Sequence, residues 1–523
     1  MTPSGVTLVT DDPLWMVWSC YLAQQYGLDF SYELRTIIRT VLSRSPSTSE
    51  PARLAEVFTE ILRSPKPVYP ILQLMADLGI LGWILPALGE TLDLIPYDAV
   101  HDYTVGQHAL YALKYLDELR QPGVPEELRE LQVLLSELAA PEQLYLATLL
   151  HDVGKAHPGG SHWESGAAAA EHACRLLRWS TDATENVVFL VRHHLLMAET
   201  SRLRDLTLPE TIRDFIAIVS DRERLRMLYL LTYADTRAVS AGHWTQVKAR
   251  FLHDLYRRAE EALAGGAEPE FHAAQVMRTR KRLLRELSVE NVPAEEVAAH
   301  LEHMPAHYVL NTSMEEIALH IAFARRARQG VPSVSFHDDR LATYTELTVC
   351  TRDDPEPGLL AKIAGVLYAA DLNVHAAQVY TRVEGDERIA LDTLYVDFRG
   401  RRLASAKRAE VENDLVAVLT GTRALEDVLK KRRDLNQMPE KPKQMEILDD
   451  ISEEFTVVQI AFPSPRGVLY YASRALARLR WDIHSARLSG FRGRSVATFY
   501  VTGAKGLSEA EAKAALDMAF AEA

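Results

Sequence analysis

Cysteine is scarce in this chain and never paired in sequence. Cys20, Cys174 and Cys350 are the only three among 523 residues, and no Cys-x-x-Cys occurs. That excludes a disulfide framework and a thiolate zinc site. No apolar run reaches the roughly 18 residues that a membrane span needs. The N-terminus lacks a basic stretch followed by an apolar one, so no secretory signal is expected and the expected location is cytoplasmic. Positive charge is also short. Lys and Arg number 58 against 72 Asp and Glu, a net charge of −14, so no basic face for nucleic acid is expected. What remains, 47% hydrophobic and 25% charged residues, is ordinary soluble composition. The length is enough for two to four domains.

Helical periodicity fills the first two thirds. Pro13 to Gln24, Leu54 to Leu62 and Tyr69 to Leu81 repeat apolar residues every three or four positions. The same pattern predicts helices over Ala109 to Leu119, Glu142 to Leu150, Gly166 to Trp179, Glu185 to His194, Arg222 to Ala238 and Thr245 to Leu263. No alternating strand stands out before residue 340. Beyond it the period changes to two. Thr343 to Cys350, Asn373 to Arg382 and Ile389 to Phe398 read as strands, with helices over Leu359 to Ala370 and 405–420.

That order then repeats, with strands at Phe455 to Phe462, Ile483 to Leu488 and Ser495 to Val501. Helices fall at Val468 to Arg478 and from about Ser508. Gly358 maps to Gly467 and Val374 to Ile483, both by 109 residues, and Thr393-Leu394-Tyr395-Val396 maps to Thr498-Phe499-Tyr500-Val501 by 105. Two copies of a small α+β sandwich are expected. The charged stretch Lys430 to Lys443 between them reads as a solvated linker.

Histidine is concentrated where the helices are. Eight of the 18 histidines lie between His101 and His194. Among them is the pentad His151-Asp152-Val153-Gly154-Lys155, at the end of an apolar helix. An imidazole beside a carboxylate can hold one ion, and this mixed N/O set suits Mn²⁺, Fe²⁺, Zn²⁺ or Mg²⁺. Gly154 permits a sharp exit from the helix. Further ligands must come from other helices. His108 opens one. Asp235 lies within another, among Leu228, Leu231 and Ala234, where an unpaired carboxylate would be costly.

These residues resemble the HD phosphohydrolase superfamily. Its pattern H…HD…D is filled in order by His108, His151, Asp152 and Asp235. Within that resemblance, His162 in Gly160-Ser161-His162-Trp163 and the pair His193–His194 suggest a second ion. A two-metal site would activate water and clamp the oxygens of a phosphoryl group. Asp152 and Lys155 are the catalytic candidates, with Lys155 neutralising a phosphate oxygen. His101–Asp102 lacks the following Gly-Lys and reads as structural.

The resemblance narrows further. His101-Asp102-Tyr103-Thr104-Val105, the pentad, Val191-Arg192-His193-His194-Leu195-Leu196-Met197, Thr232-Tyr233-Ala234-Asp235 and Glu316-Ile317-Ala318-Leu319-His320 are similar to the bifunctional PII uridylyltransferase/uridylyl-removing enzyme family. Asp354-Pro355-Glu356-Pro357-Gly358-Leu359-Leu360 resembles the ligand loop of that family's paired ACT domains. The resemblance implies an all-α HD-type domain followed by two ferredoxin-like βαββαβ ACT domains, a multidomain α and α+β fold. The expected divisions are 1–95 (helical), 96–340 (HD-type), 341–440 and 441–523 (ACT).

It also implies an activity: hydrolysis of the phosphodiester linking UMP to uridylylated PII, using one or two divalent ions under glutamine control. The effector would bind at Asp354, Gly358, Leu359 and Asn373, and in the second copy at Arg466, Gly467 and Asp482. A homodimer through the ACT domains is a further expectation. The Asp-x-Asp pair of the family's transferase domain occurs nowhere here, so UMP addition is not expected. Gly106–Gln107 stands where the family has two acidic residues, and Ser464-Pro465-Arg466-Gly467-Val468 is a degenerate ligand loop. Two alternatives stand beside this reading. One is an HD hydrolase of a small nucleotide such as (p)ppGpp, although those enzymes follow the His–Asp with Glu-Asp rather than Val153-Gly154-Lys155. The other is a non-enzymatic amino-acid sensor with a relic HD domain.

Overall fold

The computed structural model describes residues 8–44, 46–95, 103–157, 161–240, 244–265, 269–289, 292–338, 342–353, 358–430, 442–448, 451–452, 454–463, 467–491, 494–504 and 507–521. Contacts divide the chain into two compact units, Met1–Ala198 with Val219–Thr245, and Glu199–Ile218 with Gln246–Ala523. These units cut across the divisions read from sequence at 95/96, 340/341 and 440/441. Among the described residues no helix is long and apolar enough to cross a membrane.

The first unit is helical. Its working elements are α1 (Val105–Leu119), α2 (Pro141–Leu150), α3 (His162–Leu176), α4 (Thr181–Arg192) and α5 (Arg222–Val239). Eight of the ten residues of α2 are buried, as expected of a helix apolar on every side. Leu110, Leu113 and Leu116 of α1 and Leu228, Leu230 and Leu231 of α5 are also buried. The carboxylate of Asp117, near the end of α1, accepts hydrogen bonds from the backbone of Val68 and Tyr69 at 2.7 Å each and from the Tyr145 hydroxyl at 2.9 Å. It satisfies donors at the start of helix Tyr69–Leu78 that the helix itself cannot. That helix was expected to run on to Leu81. It stops because Gly79 adopts a left-handed conformation, φ +85°, and the chain restarts as Ile80–Ile84.

The second unit carries one antiparallel sheet of eight strands. They are β1 (Ser333–His337), β2 (Thr345–Arg352), β3 (Asn373–Glu384), β4 (Glu387–Asp397), β5 (Gln444–Leu448), β6 (Thr456–Phe462), β7 (Asp482–Phe491) and β8 (Arg494–Thr502). Their order is β1-β2-β4-β3-β7-β8-β6-β5. Helices α6 (Leu359–Ala369), α7 (Ser405–Leu419), α8 (Val468–Arg478) and α9 (Glu509–Ala521) share one core with Leu347, Val349, Leu394 and Val396. Cys350, Tyr380, Ile389 and Leu391 instead join a core with Leu283, Val297, Tyr308 and Ile317 of the preceding helices. Both faces of the first half are therefore covered, and β2 is buried at seven consecutive residues.

The sheet order reads the same from either end, and the register shows why. At the β3–β7 seam Ala376 pairs with Arg487, Ala377 with Ala486 and Gln378 with Ser485. Adding 109 to the first member of each pair generates the same three pairs in reverse. A local two-fold axis thus passes through Ala377 and Ala486. Even the irregularity is duplicated, between Val374 and Ala376 in β3 and between Ile483 and Ser485 in β7. The repeat differs from the expected βαββαβ order in one respect. The edge strand of each copy precedes the motif, β1 before β2 and β5 before β6, so each copy is ββαββα. The strand after α7 pairs forward with β6 and leaves nothing to close the first copy from behind.

Residues 199–218 belong to the second unit although the residues on either side belong to the first. Leu208 packs with Phe455, Val457 and Tyr500. The backbone N–H of Asp205 donates to the Tyr500 hydroxyl at 3.0 Å, across 295 positions of sequence.

Candidate metal centre

Each ligand candidate is delivered by the end of a helix or by a buried helix face. Thr104 caps α1, its side chain accepting from the Gln107 N–H, and this places His108 in the first turn. The buried helix α2 ends at Leu150 and hands His151 and Asp152 to the interior, 0% and 4% exposed. His162 is the first residue of α3. The helix expected to include His193 and His194 ends at Arg192 instead, so both lie beyond α4. Asp235 lies in α5.

Two groups of ligand atoms result, each with its atoms within 4.8 Å of one another: His108, His151 and Asp235, and Asp152, His162 and His194. In the first, His108 Nε2 lies 3.2 Å from His151 Nε2 and 2.8 Å from Asp235 Oδ1, and His151 Nε2 lies 3.5 Å from the same oxygen. Ligands about 2.1 Å from one ion, at octahedral to tetrahedral angles, stand roughly 3.0–3.4 Å apart. The first group fits that requirement closely. In the second, Asp152 Oδ1 lies 3.9 Å from His162 Nε2 and 3.7 Å from His194 Nε2, a wider set.

Asp152 joins the two groups. Its Oδ1 faces His162 and His194, while Oδ2 lies 3.5 Å from His151 Nε2, 4.0 Å from His108 Nε2 and 2.7 Å from Lys155 Nζ. His193 lies outside both groups, half-buried, its ring 4.9 Å from that of Phe189. Adjacent histidines at a helix end point in different directions, and only His194 turns inward.

Backbone carbonyls orient two of the rings. His151 Nδ1 donates to the Thr148 carbonyl at 2.7 Å, and His194 Nδ1 donates to the Val191 carbonyl at 2.8 Å. In the neutral imidazole this leaves the Nε2 lone pair for a cation. Sequence reading did not single out Thr148 or Val191 as partners, because a carbonyl has no residue-type signature; the shared offset of three residues is the one available trace. Gly154 serves a purpose other than the expected sharp exit. It sits in a short 3-10 turn, and a Cβ there would lie 1.9 Å from the His162 carbonyl oxygen. Its lack of a side chain lets the start of α3 close against the pentad.

The electrostatics match a cation site. Burial opposes charge on His151, but Asp152 and Asp235 overcome it and hold the imidazolium up to about 9. His194 is pushed by burial down to about 4 despite Asp152. Burial also lowers His162. Against the burial penalty, the surrounding histidines keep both Asp152 and Asp235 well below the usual carboxylate range, with Lys155 assisting at Asp152. The donors are imidazole nitrogen and carboxylate oxygen throughout, a set for a hard or borderline divalent ion.

The expected effector residues fall in the second unit. Gly358 (φ +147°) precedes α6, Leu359 opens it and Asp482 opens β7. These three line one cavity with Asp353, Arg388, Asp392 and Trp481. Asn373 opens β3 and its Nδ2 donates to Asp397 Oδ1 at 3.0 Å; it is not among the lining residues. Gly467 (φ +70°) precedes α8. Asp354 and Arg466 lie outside the described residues.

Comparison with known proteins identifies an HD domain in the helical region. The HD domain family model matches residues 106–227, which include His108, His151, Asp152, His162 and His194 but not Asp235. Over 507 residues, 95% of this chain, the sequence is 32% identical to the bifunctional uridylyltransferase/uridylyl-removing enzyme of Azospirillum brasilense. The chain spans 54% of that protein's length.

Proposed function

This chain carries an HD domain and is similar along nearly its whole length to about half of a uridylyltransferase/uridylyl-removing enzyme, and we propose that it performs the removing reaction. The substrate is uridylylated PII. Water attacks phosphorus, the bond from phosphorus to the tyrosine oxygen breaks, and UMP and unmodified PII result. The observation that carries this reading is Asp152, which presents one oxygen to each of two ligand groups beside a lysine.

His108, His151 and Asp235 would hold one ion, His162 and His194 a second, and Asp152 would serve both. Mn²⁺ or Mg²⁺ is favoured, with Fe²⁺ or Zn²⁺ as alternatives. When bound, such ions supply Lewis-acid charge and water activation for phosphodiester hydrolysis. The protein's own residues do the rest. The Thr148 and Val191 carbonyls fix the imidazoles. Lys155, 2.7 Å from Asp152 Oδ2, offers its ammonium to a phosphate oxygen. The two sheet repeats act as ACT-type sensors through which glutamine sets the rate.

The test is UMP release from uridylylated PII by the purified chain in Mn²⁺ or Mg²⁺, with and without glutamine. Release that depends on metal and responds to glutamine is the expected result. No release with either metal from a folded protein overturns the proposal.

A further inference from the structure

The side chains around the metal centre are unequally exposed. Those of His108, His151 and His194 are 1%, 0% and 1% exposed, and that of Asp152 is 5%. His162 is 27% exposed, Lys155 22% and Asp235 18%. The centre is therefore closed around His151 and His194 and reached by solvent beside His162. A substrate has to arrive on that side.

Trp163 borders the opening. Its ring meets the His162 ring edge to face, with centroids 5.1 Å apart at 75°, and the residue is 41% exposed. The His162 ring lies 5.5 Å from that of His194, and its Nε2 lies 3.9 Å from Asp152 Oδ1. The indole thus stands one ring away from the second ligand group. An indole is a large apolar body, and leaving it partly exposed forgoes burial energy unless a ligand covers it. Single exposed apolar residues are common on protein surfaces. Trp163 is set apart by its place against a ligand candidate and by the rigidity of its backbone.

The turn that carries it is braced on two sides. Ser165 Oγ lies 3.3 Å from the Gly154 carbonyl oxygen, 3.2 Å from that of His162 and 3.4 Å from that of Ser161. This ties the start of α3 to the pentad, where only a glycine at position 154 leaves room. Glu164 Oε2 lies 3.4 Å from Arg192 Nε, which ties the same turn to the end of α4. A ring on such a turn can be offered to a ligand without the cost of ordering a loop.

A nucleoside phosphate fits this arrangement. Its phosphoryl group goes to the ligand groups and Lys155, and its ribose sets the base off to one side, within reach of a flat apolar face. Every base has a face that stacks, so an aromatic platform supplies affinity and not a choice between bases.

We infer that Trp163 is the stacking platform for the base of the nucleotide released at this centre. This deepens the proposed removing reaction and rests on it. The test is calorimetric titration of the full chain, in Mn²⁺ or Mg²⁺, with UMP and with ribose 5-phosphate, which keeps the sugar and phosphate and lacks the base. UMP should bind the parent more tightly. Trp163→Ala should weaken UMP binding roughly tenfold and leave that of ribose 5-phosphate unchanged. Trp163→Phe, which keeps a smaller ring, should recover most of the loss. Elemental analysis of the same samples should show parental metal content, because Trp163 supplies no ligand atom.

Unchanged UMP affinity in Trp163→Ala would overturn the inference. So would equal weakening of both ligands, the mark of a residue that only holds His162 in place. A parent chain that binds both ligands equally has no base subsite, and this too overturns it. Hydrolysis is measured separately. Trp163-dependent binding of UMP without its release from uridylylated PII removes only the proposed protein substrate, and release without any effect of the base removes only the platform.

Discussion

His108 and His151 face one another with their Nε2 atoms 3.2 Å apart, although α1 and α2 bring them from positions 43 residues distant. Imidazole nitrogens in that posture converge on the same point. Asp235 Oδ1 closes the triangle. In an ion-free site the charge on His151 balances the carboxylates; a bound cation takes over that balance.

The link through Asp152 predicts unequal metal losses. Asp152→Ala should release metal from both groups. His162→Ala should release only the second ion, leaving that of His108, His151 and Asp235. Elemental analysis of the purified variants measures this directly. Equal metal content in the two variants would contradict a shared carboxylate.

Lys155 is expected to act on rate more than on metal retention. Lys155→Met should lower kcat for phosphodiester hydrolysis by roughly tenfold to a hundredfold while ion content stays near that of the parent. Lys155→Arg, which keeps a cation, should recover part of the loss. Steady-state kinetics beside elemental analysis separates the two effects.

Gly154→Ala tests the packing of α3 on the pentad. The new Cβ would lie 1.9 Å from the His162 carbonyl oxygen and 2.7 Å from the Gly166 nitrogen, both backbone atoms that cannot rotate away. Destabilisation of about 3 kcal/mol or more is expected, together with a displaced His162. Thermal melts report the first, and metal content reports the loss of the second ion.

The second unit holds a buried pair of histidines joined through one hydroxyl. The Tyr308 oxygen is 2.9 Å from His300 Nε2 and 2.9 Å from His320 Nδ1. Burial lowers His300 to about 3 and His320 to about 4, against 6.5 when free. The unfolded chain therefore binds more protons than the folded one between those values, and stability rises with pH across that window. It should be complete above about pH 6.5 and fall as pH drops toward 4. Urea unfolding at pH 7 and pH 4.5 checks the direction. Tyr308→Phe should cost about 1–3 kcal/mol at neutral pH for each ring nitrogen left without a partner.

The site was legible from sequence to the extent that helix ends place ligands. His108, His151, Asp152 and Asp235 could be chosen because each stands at a helix terminus or on a face that must otherwise be apolar, whereas His162 and the pair His193–His194 came only with the family resemblance. What separates His194 from His193 is the last hydrogen-bonded turn of α4, which closes at Arg192, and periodicity does not locate an end to one residue. The two-oxygen role of Asp152 has no sequence counterpart, because it depends on α3 closing against Gly154. The repeat was visible in the 109-residue shift. The strands β1 and β5 were not, since five half-buried residues show too little alternation to stand apart from loop. The helices before β1 explain why β2 is buried on both sides; local pattern carries no information about what covers a sheet's far face.

Residues 199–218 have a consequence for the order of events during synthesis. Asp235 is made only after this segment, so the first ligand group cannot be completed until the chain has already emitted residues destined for the other unit. Leu208 and Asp205 then wait for Phe455, Val457 and Tyr500, the last of which lies 295 residues beyond Asp205. Contacts of such long separation close slowly. Until then Leu208 lacks the neighbours it packs against. No single cut in the chain yields either unit intact, and a fragment ending before residue 235 loses a ligand together with the segment's partner.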